Sequence, residues 1–294
     1  EVMQYGYVNA PYSAFNEITQ VPPGSVLTWH DGKTITKKYW EPDFDTKVQI
    51  SYEEALEVTK KLIEEAVSRR LISERPLGSF LSGGYDSTVV TAYMAKLMSE
   101  KVQTYSIGFH SPQFNEAHHA KQVANYLGTN HHEEILNPNP ALLVEKISQA
   151  LDQPFADSSI VPTYLLAKFA RENLIVALGG DGGDEVFGGY DRYLAAPVMQ
   201  KLNPLLGIAR YGLKIAGQQS LGNARKINRV GSQLSSKSSL AARYSSILSL
   251  AQPSELTTLL NPNFQTNAAE ITRLNQFQDG KISSFDRMIR ADLD

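Results

Sequence analysis

The chain has no cysteine. A disulfide framework, thiolate metal ligands and a cysteine nucleophile are therefore excluded from this stretch of protein. It has only 2 tryptophans, Trp29 and Trp40, which with the tyrosines read as core or interface mass. Long apolar runs are missing too. Nothing approaches the roughly 20 residues that a membrane-crossing helix needs, and the opening EVMQYGYVNAPYS lacks the basic-then-apolar order of a secretory signal. No membrane partner and a cytoplasmic setting are expected. Charge of one sign is also lacking: the formal net charge is -3 at pH 7, which argues against broad attraction to nucleic acid. Small molecules remain as the expected partners.

What is present is an ordinary globular composition, 42% apolar over 294 residues, enough for one sizeable α/β core and a smaller lobe. Residues 1–46 read as short strands and turns. There, Val26 to Trp29 and Thr34 to Tyr39 flank Asp31-Gly32, a hairpin signal, and a helical period is found only near Ser13 to Ile18. At Ser51-Tyr52-Glu53-Glu54 a capping box opens a run in which Ala55, Val58, Leu62, Ala66 and Leu71 recur at helical spacing. The expected domains are residues 1–46, a core over 47–190 and a helical lobe over 191–294.

Within the core, apolar strands alternate with helical runs. The strands are Leu77 to Leu81, Val102 to Phe109, His131 to Leu136 and Leu174 to Leu178. Helices are expected through about Met98, from Asn115 to Leu127 with Gly128 closing it, after Asn139-Pro140, and from Ser159 to Arg171. This alternation predicts an α/β fold with a doubly wound parallel sheet, and a ligand site beyond the C-terminal ends of the strands. Past Asp191 the pattern turns helical and polar, with Lys201, Arg210, Lys214, Arg225, Lys226, Arg229 and Lys237 reading as a solvated face or a basic lid.

The most informative stretch is Leu81-Ser82-Gly83-Gly84-Tyr85-Asp86-Ser87, between a strand and a helix. Gly83 and Gly84 let backbone N–H groups approach an oxyanion, Ser82 and Ser87 add hydroxyls, and the helix start adds positive potential. A carboxylate beside a phosphate is repulsive unless a cation intervenes, so Asp86 predicts Mg²⁺ bridging to a polyphosphate. The loop lacks the Gly-Lys-Ser/Thr of a Walker motif, and a plain glycine turn capped by Asp86 or Ser87 stays open. A second loop, Gly179-Gly180-Asp181-Gly182-Gly183-Asp184-Glu185, follows the strand ending at Leu178 and should reach the same sheet edge.

Ser-Gly-Gly-x-Asp-Ser resembles the signature of the pyrophosphatase-loop, or adenine nucleotide alpha-hydrolase-like, enzymes. The run Gly180 to Tyr190 narrows this, because it resembles the corresponding segment of asparagine synthetases. Thr104 to Phe109, Asn115-Glu116-Ala117, Tyr126 to Glu133 and Gln153 to Ser159 are also similar in order and spacing. The resemblance implies ATP and Mg²⁺, with Ser82, Gly83, Gly84, Asp86 and Ser87 holding pyrophosphate, and Asp86 and Asp184 as metal ligands. It implies that Leu81, Ile107, Gly179 and Gly180 line the nucleotide site and that Asp181 manages the attacking ammonia. The implied reaction adenylates the aspartate side chain, and ammonia then gives asparagine, AMP and pyrophosphate.

Two positions depart from the family pattern, which commonly has Ser at Gly179 and Leu at Tyr85. Residues 1–46 resemble the tail of a glutaminase domain, and Phe285 to Asp294 resembles the segment just before the family's Lys-x-Asp-Arg motif. A longer parent chain, with ammonia from its glutaminase domain and a catalytic lysine beyond Asp294, is the expectation. A homodimer is compatible with the sequence. Relatives that adenylate another acid, and a nucleotide-binding module without chemistry, are the competing readings. His118-His119 and His131-His132 are not read as zinc ligands, since no third ligand stands at a zinc spacing.

Overall fold

The computed structural model describes residues 1–111, 115–194, 240–251, 253–261 and 282–293. The chain forms two units: Val48–Leu151 with Asp157–Asp184, and Glu1–Lys47 with Asp152–Ala156 and Glu185–Asp294.

The first unit is built on four parallel strands, β3 (Leu77–Phe80), β4 (Gln103–Phe109), β5 (Asn130–Leu136) and β6 (Val176–Leu178), in the order β5-β4-β3-β6. Its helices are α2 (Tyr52–Arg70), α3 (Tyr85–Leu97), α4 (Ala117–Leu127), α5 (Pro140–Ala150) and α6 (Ile160–Ala170). The expected caps form. Ser51 and Glu54 close a capping box on α2, Gly128 takes the left-handed conformation after α4, and Asn139 accepts from the backbone of Ala141 ahead of Pro140.

Neighbouring residues on a strand face opposite ways, and the contacts divide accordingly. Ser79 bonds Thr91 of α3, and Leu81 packs with Ala120 and Ala124 of α4. Phe80 and Tyr105 instead pack with Leu166, Phe169 and Ala170 of α6. Helices thus cover both faces, which is the doubly wound arrangement the sequence predicts. The chain runs from β3 to β4 and β5 on one side, then returns to place β6 on the other. The switch point lies between β3 and β6.

A polar seam runs under the α4 side. His131 Nδ1 lies 3.0 Å from Thr104 Oγ1, its Nε2 lies 3.3 Å from Ser106 Oγ, and Thr104 Oγ1 is 2.9 Å from Thr129 Oγ1. Burial holds the His131 pKa below its ordinary 6.5, because the charged ring loses solvation. A lowered histidine pKa contributes stability that is present above the unfolded value and lost as pH falls through the folded one. Stability against urea, followed by circular dichroism, should fall below pH 6.5, and His131→Asn should flatten that dependence. An unchanged pH slope in the variant would count against the half-buried ring as the source of that dependence.

The second unit holds a two-stranded hairpin, β1 (Ser25–His30) and β2 (Lys33–Lys38), turned by Asp31 at φ 48 and Gly32 at φ 75. Two positive φ values in succession make the turn whose twist suits a hairpin, as Asp-Gly predicts. Two expectations fail here. Val2–Tyr5 is a one-turn helix, α1, tied down by remote contacts: Gln4 Nε2 donates to Ser249 Oγ at 3.3 Å, and Leu250 N donates to Gln4 O at 2.6 Å. Ser13 to Ile18 forms turns, because Ser13 Oγ bonds the carbonyls of Phe15 (3.0 Å) and Ile18 (2.8 Å) and so competes with a helix.

Beyond the second loop come the short helix α7 (Gly183–Phe187), which begins in the first unit, then α8 (Leu240–Leu248), α9 (Pro253–Leu259) and α10 (Ser284–Leu293). Tyr193, Leu240, Tyr244, Met288 and Ile289 form a buried cluster. At its edge Asp292 Oδ2 accepts from Arg192 (2.8 Å), Tyr193 (2.6 Å) and Tyr244 (2.6 Å). Burial and these bonds to Asp292 push both tyrosine pKa values up. The basic residues from Lys201 to Lys237 lie outside the described residues. No helix among the described residues is long and apolar enough to cross a membrane.

Candidate active site

The loop after β3 is shaped by its own serines. Ser82 Oγ lies 2.9 Å from Ser87 Oγ, Ser82 N donates to Ser87 Oγ at 3.3 Å, and Gly84 N donates to Ser82 Oγ at 3.2 Å. Gly83 has φ 84, a conformation open to glycine, and a methyl group there would fall 2.6 Å from Ala120 N. The loop is thereby clamped between its serines and the start of α4. It delivers the chain into α3 with Gly84 at the capping position, and glycine has no side chain with which to cap the helix. An uncapped start on a helix of 13 residues leaves positive potential for an anion.

Below this turn stand two fully buried hydroxyls that sequence reasoning missed. Thr91 Oγ1 donates to Ser87 O at 2.7 Å and lies 2.8 Å from Ser79 Oγ, fixing the first turn of α3 to β3. A usable signal existed: Thr91 follows Ser87 by one helical turn, and Ser79 interrupts an otherwise apolar strand. Leu81 is 1% exposed, with its side chain committed to Ala120 and Ala124, so its backbone is what it can offer a nucleotide. Ile107 lies half-buried on β4.

The loop after β6 meets the first loop at the switch point. A methyl group on Gly180 would lie 2.5 Å from Ser87 N and 2.9 Å from Asp86 C, so the second loop is seated on the first turn of α3. Gly183 N donates to Gly180 O at 3.1 Å, and Gly182 turns with φ 85. Asp86 brings its carboxylate against the α-carbon of Gly183, next to the half-buried Asp184, while Asp181 folds back over Gly179 and stays exposed. Of the residues singled out in the sequence, Asp86, Ser87, Gly179, Gly180, Asp181 and Gly183 are thus gathered at one place.

Among the described residues no group of three or more His, Cys, Asp or Glu side chains is gathered to hold a metal. Mg²⁺ is ordinarily held by one or two carboxylates with waters and substrate phosphates, and Asp86, lying against Gly183, places one carboxylate where the two loops meet. The histidine pairs have other occupations. His131 serves the polar seam, His132 stacks on Tyr105 at 4.6 Å, and the rings of His118 and His119 meet edge-on at 5.0 Å.

The sequence profile of the family described as asparagine synthase matches residues 59–293. The chain belongs to that family. A protein of Methanocaldococcus jannaschii, provisionally named glutamine-hydrolyzing asparagine synthetase 2, is 37% identical over 194 residues, which is 64% of this chain and 37% of that protein. The glutamine-hydrolyzing asparagine synthetase 1 of Bacillus subtilis is 33% identical over 195 residues, 66% of this chain and 30% of its own length. The matched segment therefore spans about a third of these asparagine synthase relatives. An NH3-dependent NAD synthetase from Campylobacter jejuni overlaps 48% of this chain and 61% of its own, with a TM-score of 0.31 and 16% identity. That likeness is too low to add to the fold read from the strand order.

Proposed function

We propose that this chain is the synthetase part of an asparagine-synthetase-like amidotransferase, an ATP-dependent carbon–nitrogen ligase that forms AMP. The supporting observation is the meeting of the two loops at the switch point, where Asp86 lies against Gly183 beside the uncapped start of α3. The relatives' names, which specify glutamine hydrolysis and asparagine, support the amide product and ammonia drawn from a glutaminase domain in a longer parent chain.

In this reading Gly83, Gly84 and the first N–H groups of α3 face the β- and γ-phosphates of ATP, with Ser82 and Ser87 as hydroxyl donors. Asp86 and Asp184 hold Mg²⁺, which when bound neutralises charge developing on the phosphates. The backbones of Leu81, Gly179 and Gly180, and Ile107, line the nucleoside side. A side-chain oxygen of aspartate bonds to the α-phosphorus as the bond to the β-phosphate oxygen breaks, and pyrophosphate departs into the cradle. Ammonia then bonds to the acyl carbon, the bond to AMP breaks, and Asp181 accepts the proton that nitrogen sheds. Fixed N–H dipoles aimed at the departing phosphates need no reorganisation, which is where such a site gains most of its rate.

The test is pyrophosphate release by the full-length parent chain with Mg²⁺, ATP and ammonia, with and without aspartate. Release that depends on aspartate and yields one AMP per asparagine is expected. Release that depends on another carboxylic acid would move the reading to a related amidotransferase or cyclase. No release with any acid would leave a nucleotide-binding module and end the ligase proposal.

A further inference from the structure

Asp184 and Glu185 are adjacent acids, both half-buried, at the start of α7. Neighbouring positions on a helix point about 100° apart, so the two side chains leave α7 in different directions. Glu185 has a partner of its own: the Tyr190 hydroxyl donates to Glu185 Oε1 at 2.9 Å. The chain between them turns back to allow this. Gly188 takes φ 68, a conformation open to glycine, and the space where its side chain would stand is filled by the ring of Phe285 of α10.

Tyr190 is held from its other side. The guanidinium carbon of Arg192 lies 3.6 Å from the centre of the Tyr190 ring, a close cation–π contact. Arg192 is fixed in turn by Asp292 of α10, whose Oδ2 also accepts from Tyr193 and Tyr244. A chain of contacts thus runs from Asp292 through Arg192 and Tyr190 to Glu185, all of it within the second unit.

We propose that Glu185 is a positioning residue and not a metal ligand: its bond to Tyr190 tethers α7 to the cluster around Asp292 and so fixes how α7 presents the second loop. Tyr190, Arg192 and Asp292 are the other links of that tether. This rests on the reading above in one respect, that the second loop borders the Mg·ATP site. Two acids side by side in such a loop invite the opposite assignment, that both ligate. Chemistry separates the two. Mg²⁺ draws carboxylate oxygens by their charge, whereas a phenol hydroxyl needs only a lone pair to donate to, which an amide carbonyl also supplies. Glu185→Gln therefore keeps a tether and destroys a ligand.

The experiment uses the full-length enzyme, with Mg·ATP binding by calorimetry, aspartate-dependent pyrophosphate release and Tm as readouts. Glu185→Ala and Tyr190→Phe should each weaken Mg·ATP binding and lower release by about 10- to 100-fold, the loss that a roughly 1 Å misplacement brings. Their double variant should lose no more than either alone, since two residues acting as one unit are not additive. Glu185→Gln should stay near wild type in both readouts. Tyr190→Phe keeps the ring on which Arg192 lies, so its Tm should hardly move. Asp292→Asn, which takes the charge from beside Arg192, should weaken Mg·ATP binding with a clearly lowered Tm, and for that reason Tyr190→Phe is the deciding variant. A Glu185→Gln loss as large as that of Glu185→Ala would make the charge essential and overturn the proposal. So would additive losses in the double variant, or wild-type Mg·ATP binding in Tyr190→Phe. A wild type that binds Mg·ATP but releases no pyrophosphate with any acid is a different failure: it removes the ligase reading, while calorimetry on the same variants still decides the tether. A wild type that does not bind Mg·ATP would end both.

Discussion

Asp86→Asn is expected to lower aspartate-dependent pyrophosphate release by about 100-fold or more, the scale on which a preorganised electrostatic group acts in a transition state. Asparagine keeps the size and shape of the side chain, so the contact with Gly183 survives. What is lost is the charge that, on the proposed reading, holds Mg²⁺. The same residue also stands in the first turn of α3, where an acid stabilises a helix by about 0.3–1 kcal/mol. The two roles differ by magnitude. If Asp86 only supports the helix, the variant loses a degree or two in Tm and keeps its activity. If it bridges metal to phosphate, Tm barely moves and release collapses. Measuring both on one preparation decides between them, and full activity with a slightly lowered Tm would end the metal-bridge argument.

The elements that local chemistry specifies were legible in the sequence. Asp31-Gly32 turns its hairpin, Ser51 and Glu54 box the start of α2, Gly128 ends α4, and Asn139-Pro140 begins α5. Each signal is a property of a few adjacent residues. Where neighbours remote in sequence decide, the signal fails. α1 has one turn, too short to show a period, and it is held by Ser249 and Leu250 some 245 residues away. Strand order is likewise invisible, since periodicity marks β3 and β6 as strands without saying that they pair. At the site, Ser-Gly-Gly-x-Asp-Ser marked the turn between β3 and α3, while Thr91 and Ser79 went unnoticed because a buried hydroxyl in a helix or strand looks like an ordinary interruption. The different surroundings of Gly179, Gly180, Gly182 and Gly183 could not be told apart in one letter repeated four times. They depend on which atoms arrive from α3 and from Asp181.

Gly180→Ala should be strongly damaging, because the space beside Gly180 is filled by backbone. At Gly179 the obstacle is the end of a side chain, which can swing aside. At Gly180 the obstacles are Ser87 N at 2.5 Å and Asp86 C at 2.9 Å, backbone atoms locked into the first turn of α3. No rotamer change relieves that clash, so the second loop must lift off the helix. Overpacking of this kind typically costs about 1–3 kcal/mol, and the lift separates the two halves of the proposed nucleotide site. Pyrophosphate release and asparagine formation should both fall by about 100-fold, as misplacement of an aligned site does, together with a lower Tm and weaker Mg·ATP binding by calorimetry. Normal Tm and normal ATP affinity in this variant would mean that the loops do not meet at Gly180. Because the proposed nucleotide site is assembled from two loops that pack together at Gly180, one methyl group placed between them should reach every step that uses ATP.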